Sequence, residues 1–151
     1  MNKSIRQRIV EEIGTRLSRI LVANGYETDL GKSVTEWRAE TIPMVALPAV
    51  DYRDVSESSE ASTIMGADSL REQTLSVHIE MRAADDPTMQ RAMLADCIKA
   101  IGQDPTWAGY ALATEIASDS TEFQEQSRLM GSTTLKLLIT YRVRVWDPYN
   151  Q

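Results

Sequence analysis

Cysteine occurs once in this chain, at Cys97, and histidine once, at His78. A single thiol excludes an intramolecular disulfide and any multi-cysteine zinc site. A single imidazole removes most catalytic designs that depend on histidine. Aromatic residues make up only 6% of the sequence. The seven glycines are scattered, and no strand pattern passes through a glycine-rich turn into a helix, so no nucleotide-binding loop can be written. Long apolar runs are also missing. The most apolar stretch, residues 44–50, is broken by Pro48 and falls far short of the roughly 20 residues a membrane helix needs. Charges interrupt residues 1–24 every few positions, which leaves no signal-peptide core. Synthesis and folding in the cytoplasm is the expected setting.

What is present is ordinary for a folded chain of 151 residues, with 42% apolar and 25% charged side chains, and one domain is expected. The net charge of −6 argues against a dedicated nucleic-acid binder, which carries a basic surplus to displace phosphate counterions. The charge is unevenly placed. Residues 1–24 hold five basic and two acidic side chains, so their net charge is +3 and the remainder carries −9.

Apolar periodicity predicts an amphipathic helix over residues 3–24, with Ile5, Ile9, Ile13, Leu17, Ile20 and Leu21 on one stripe and Asn24-Gly25 as its stop. Arg16 falls inside that stripe. It reads either as a side chain snorkelling at a domain edge or as an ionic contact across a subunit interface. Val34 and Trp37 mark a short strand, and residues 44–52 a second, with Pro43 at its start and Pro48 marking an edge or irregularity. The serine-rich segment 51–60 has a net charge of −3 and reads as a long hairpin arm or mobile loop.

Residues 74–82 alternate cleanly, with Leu75, Val77, Ile79 and Met81 on one side of a half-buried strand and His78 on the other. Asp86-Pro87 opens a second helix, Asp85 and Asp86 serving its cap. Its stripe is Met89, Met93, Cys97, Ile98 and Ile101, and Gly102 ends it. A turn at residues 104–109 leads into a strand over 110–117, followed by a second acidic loop with Asp119, Glu122 and Glu125. The alternation from Thr133 to Trp146 predicts a final strand of about 13 residues, long against a usual ~5–6, crossing the middle of the sheet. Helices separated by strand runs point to an α+β domain: a largely antiparallel, mixed sheet with two helices on one face and a long hairpin arm.

No chemistry-bearing constellation emerges. Cys97 sits on an apolar stripe and reads as a core thiol, and His78 reads as a surface residue. The acidic loops lack a calcium-loop pattern. Catalysis is not expected, and no metal or cofactor is implied. Trp37 and Trp107 read as plugs at the ends of the core. Arg142, Arg144 and Trp146, on one face of the final strand with Lys136, are candidates for a protein interface.

Residues 24–34, 75–81, the second helix, residues 104–110, 135–141 and 147–149, taken in that order, resemble the tail terminator and minor tail proteins of long-tailed bacteriophages. The resemblance begins at Asn24-Gly25-Tyr26-Glu27-Thr28-Asp29-Leu30-Gly31-Lys32-Ser33-Val34. It continues through residues 75–81, the second helix and Asp104-Pro105-Thr106-Trp107-Ala108-Gly109-Tyr110. It closes with residues 135–141 ahead of Asp147-Pro148-Tyr149. This is a succession of short motifs over nearly the whole chain, without a catalytic signature. It implies a homohexameric ring at the head-proximal end of the tail tube, ending tube polymerisation and offering a surface for head attachment. The partners are then the major tail tube protein and a head-completion or neck protein. DNA passes through without specific binding, no membrane is involved, and assembly takes place in the host cytoplasm before the ring joins the virion.

On that expectation, Arg6, Arg16 and Arg19 of the basic first helix face an acidic neighbour across the ring. Asp51, Asp54, Glu57 and Glu60, or Asp119, Glu122 and Glu125, line the channel. A neck connector, one step nearer the head, is the alternative within the structural class. A small bacterial ligand-binding or regulatory α+β domain is the alternative outside it.

Overall fold

Ser4 opens the first helix, α1 (Ile5–Leu17), its hydroxyl accepting from the Gln7 amide at 3.2 Å. The computed structural model describes residues 1–40, 47–61, 69–84, 86–125 and 129–151. The stripe Ile5, Ile9, Ile13 and Leu17 is buried as its spacing predicts, but the helix stops well short of residue 24. The backbone of Gly31 lies against the helix exit and its amide binds the Ile20 carbonyl at 2.8 Å. A Cβ at Gly31 would stand 2.5 Å from the Ser18 carbonyl oxygen, so only glycine permits this approach. Asp29 accepts from the Val22 amide at 3.0 Å, and a short 3-10 turn over Val22–Asn24 ends at Gly25, φ +87°.

The sheet has five strands: β1 (Val34–Glu36), β2 (Ala49–Ala61), β3 (Leu70–Ala84), β4 (Ala113–Glu125) and β5 (Leu129–Arg144). Their order is β1-β2-β3-β5-β4, with β1 parallel to β2 and every other pair antiparallel. The final strand is therefore an inner strand beside the central β3. The second helix, α2 (Pro87–Gly102), is capped by Asp86, which accepts from the Thr88 amide at 2.8 Å. Asp85 lies outside the described residues. Both helices pack on the face carrying Leu75, Val77, Ile79, Met81, Leu135, Leu137 and Ile139, all fully buried. The expected α+β architecture is present, with a mixed sheet.

Two segments expected as loops are strands. Residues 51–60 belong to β2 and pair with β3 from Ala49↔Arg82 to Ala61↔Arg71, so the arm reading holds and the loop reading does not. The strand anticipated over residues 44–52 begins at Ala49; Pro43 and Met44 lie outside the described residues. Asp119, Glu122 and Glu125 lie in β4, an edge strand that, among the described strands, pairs with β5 alone. An arm and an edge have wet surfaces on more than one side, so their sequences need no apolar alternation.

Side-chain contacts tie these layers together. Asp96 of α2 is buried and accepts from the Glu27 amide at 3.2 Å, the Thr28 amide at 2.8 Å and the Thr28 hydroxyl at 2.7 Å. Ile98, expected on the buried stripe, is 38% exposed; Gln90, Asp96 and Ala100 are buried in addition to Met93, Cys97 and Ile101. Of the two expected tryptophan plugs, Trp107 is 1% exposed and fills the core, whereas Trp37 is 51% exposed. The Trp37 ring stands outside, under the Arg53 guanidinium, and its Nε1 donates to Asp54 at 2.9 Å.

Candidate interaction surfaces

The candidate residues separate into those committed within the chain and those presented to the outside. Arg16 is committed. Its guanidinium lies over the Trp107 ring, 4.6 Å from the centroid, and donates to the Asp104 backbone carbonyl, with the Asp104 carboxylate at 3.5 Å. Asp104 also accepts from the Thr106 hydroxyl and the Ala108 and Thr106 amides, and these bonds, with Arg16 nearby, hold its pKa down at about 2. Arg16 is therefore buried instead of snorkelling. It joins α1 to the turn after α2.

Arg6 is also engaged internally, and it brings together residues assigned to two different roles. Its Nη2 is 2.6 Å from Asp54 and its Nη1 is 3.8 Å from Glu57, while the Tyr141 hydroxyl donates to Glu57. Partial burial acts to raise the Asp54 pKa, and the bonds from Trp37 and Arg6 outweigh it, leaving the carboxyl below its ordinary value. Burial and the Glu57 hydrogen bond and charge push Tyr141 upward. Asp51 is buried and accepts from Thr35 Oγ1 at 2.8 Å, the Arg38 amide at 2.9 Å and Arg53 Nε at 2.7 Å. Asp51, Asp54 and Glu57 thus bind the arm to the body of the chain.

Arg19, Glu60, Asp119, Glu122, Arg142, Arg144 and Trp146 face outward. Arg19 is exposed at the exit of α1. Glu60 is exposed opposite Glu72, whose carboxylate lies 3.4 Å from Arg142. Asp119 and Glu122 are exposed on β4, and Glu125 ends that strand. Register puts Glu60 and Glu122 on the open face of the sheet, Glu122 opposite Ser132, and Asp119 on the helix-bearing face opposite Leu135. Beyond β5, Trp146 is 93% exposed with φ +64°. Its turn is pinned by bonds from Val145 N to the Ser69 carbonyl, Arg144 N to the Asn150 carbonyl and Asp147 N to the Arg144 carbonyl, at 2.9, 2.9 and 3.1 Å. Arg144 is exposed beside it.

Sequence periodicity misses a second apolar feature. Ile116 and Phe123 of β4 are 48% and 40% exposed. They oppose Leu137 and Gly131, so both lie on the helix-bearing face. A Cβ on Gly131 would stand 2.4 Å from Gln90 Nε2 and 2.9 Å from the Phe123 ring, which places that ring beside α2. Leu94 and Ile98 follow Gln90 at four-residue steps, on the flank of α2 away from Asp96.

His78 is partly buried on the open face, and burial and Lys136 lower its pKa. Cys97 is fully buried with its Sγ 3.3 Å from Met81 Sδ, and burial pushes its pKa well up. Among the described residues, no group of three or more His, Cys, Asp or Glu is placed to hold a metal ion. No described helix is long and apolar enough to cross a membrane. Neither a protein-family model nor a curated protein sequence matches the chain.

Proposed function

We propose that this chain is a structural protein of virion assembly, of the tail terminator type of long-tailed bacteriophages. Copies of it form a ring, hexameric in that family, that caps the head-proximal end of the tail tube and receives the filled head. The observation that carries this reading is the presence of two unlike outward surfaces. One is the acidic edge strand β4, and the other is the basic, tryptophan-bearing end of β5. A ring needs such a pair, because each copy meets the next through a different patch. The resemblance in residues 24–34, 104–110 and 147–149 supports the same reading.

The tail tube protein and the neck protein are then the partners on the two sides of the ring. Glu60 and Glu122, outward on the open face, are the acidic positions suited to a channel wall that lets DNA pass without adhering. Asp51, Asp54 and Glu57 are withdrawn from that role by Arg53 and Arg6.

The test is electron microscopy of particles from the parent phage or prophage with this gene deleted. Overlong or ragged tubes separated from filled heads are the expected result. Tails of normal length that fail to join heads would assign the chain to the neck connector instead. Intact infectious virions would overturn both, in favour of a small ligand-binding or regulatory domain.

A further inference from the structure

We propose that the Trp146 turn of one copy docks into the trough between α2 and β4 of a second copy. The trough is flanked by Leu94 and Ile98 on the helix and by Ile116 and Phe123 on the strand. The inference deepens the ring reading and rests on it for the number of copies, while the contact itself is tested separately.

Trp146 has the properties of an interface anchor. Its side chain is almost wholly in water, yet its backbone is held in a left-handed turn by bonds to Ser69, Asn150 and Arg144. Little further ordering is needed when a partner covers it, and a large aromatic ring on a fixed support is the commonest source of binding energy at interfaces. The second copy supplies three partly exposed apolar side chains, Ile98 on α2 and Ile116 and Phe123 on the helix-bearing side of β4.

Charge selects the pairing. Residues 113–125 contain Glu115, Asp119, Glu122 and Glu125 and no basic side chain. Residues 135–146 contain Lys136, Arg142 and Arg144 and no acidic one. A second β4 laid against the first would set carboxylates against carboxylates, a device that protects edge strands from joining their own copies. The turn carries Arg144 and Asp147 and meets no such barrier, and the guanidinium of Arg144 accompanies Trp146 toward Asp119, the carboxylate that register places on the same side of β4 as Ile116 and Phe123.

Sedimentation velocity and native mass spectrometry of the full chain test the contact. The wild type is expected to self-associate. Trp146→Ala and Ile116→Asp are each expected to weaken association by roughly tenfold or more, with thermal midpoints near wild type because both side chains are exposed. An equal mixture of the two variants is expected to recover one-to-one pairs, since one variant keeps the tryptophan and the other keeps the trough. A monomeric wild type overturns the contact. So does a variant that associates as the wild type does, or a mixture that does not pair. A six-membered assembly that survives Trp146→Ala removes the contact and leaves the ring reading standing. A two-copy assembly abolished by Trp146→Ala keeps the contact and removes the ring.

Discussion

The guanidinium of Arg16 is stacked 4.6 Å from the centre of the Trp107 ring, inside the layer where α1 meets the turn that follows α2. An arginine in an apolar stripe would be costly alone. Here its charge is met by the ring face and by Asp104, and its stem adds to the apolar contact.

Replacing Arg16 by alanine is expected to lower stability by about 2 kcal/mol, from the lost cation–π contact and the charge-assisted bond to the Asp104 carbonyl. Lysine lacks the flat donor fork and should restore less than half of that loss. Urea denaturation of the three proteins measures both.

Acid should act through Asp104. Its folded pKa of about 2 lies below the ordinary value of 3.8, so its contribution is fully present above pH 4 and is lost as pH falls from about 4 to about 2. Compared with Asp104→Asn, the wild type should hold its full advantage above pH 4 and lose most of it by pH 2. Thermal melts across that range read the difference; a gap that widens in acid would contradict it.

Asp96→Ala leaves the Glu27 and Thr28 amides and the Thr28 hydroxyl without their acceptor. A loss of about 2–4 kcal/mol is expected, together with faster exchange of the Thr28 amide in hydrogen-exchange measurements.

A Cβ at residue 31 meets the backbone carbonyls of Ser18 and Ile20, which cannot swing aside as a side chain can. Gly31→Ala is therefore expected to cost about 1–3 kcal/mol in equilibrium unfolding. The loss should localise to the region where α1 gives way to the 3-10 turn.

Charge reversal at Glu60 and Glu122 addresses the proposed channel. Virions carrying Glu60→Lys with Glu122→Lys are expected to assemble but to release DNA more slowly, with a delay that shrinks at higher salt. Unchanged ejection kinetics would remove these residues from the wall.

The parts of the fold legible in the sequence are those whose faces differ in wetness. Leu75 to Met81 and Leu135 to Tyr141 alternate because helices cover one side of β3 and β5 only. Asp86-Pro87 announces α2 through its cap. The arm end of β2 and β4 from Ser118 onward carry polar residues on both faces, so periodicity does not separate them from loops, whereas the start of β4 falls within the strand expected over residues 110–117. Trp37 and Trp107 both read as plugs of the core, and both have positive φ. Only tertiary packing decides that one ring is enclosed and the other is not. Trp146 with Arg142 and Arg144 can be singled out by composition, but the trough cannot. Ile116 and Phe123 are separated by an odd interval, which in a regular strand puts them on opposite faces. The bulge between Ile116 and Ser118 reverses that and brings them to the same side.

Strand β3 runs without a break from Leu70 to Ala84 just before the α2 cap, paired with β5 throughout and with β2 from Arg71 to Arg82. Mechanically, the arm is a rigid lever rather than a tether. A pull along its strands is carried in shear by many ladder bonds at once. A sideways push reaches α1 through Arg6 and the Asp54 and Glu57 carboxylates. Whatever seizes the far end of the hairpin takes hold of the centre of the sheet.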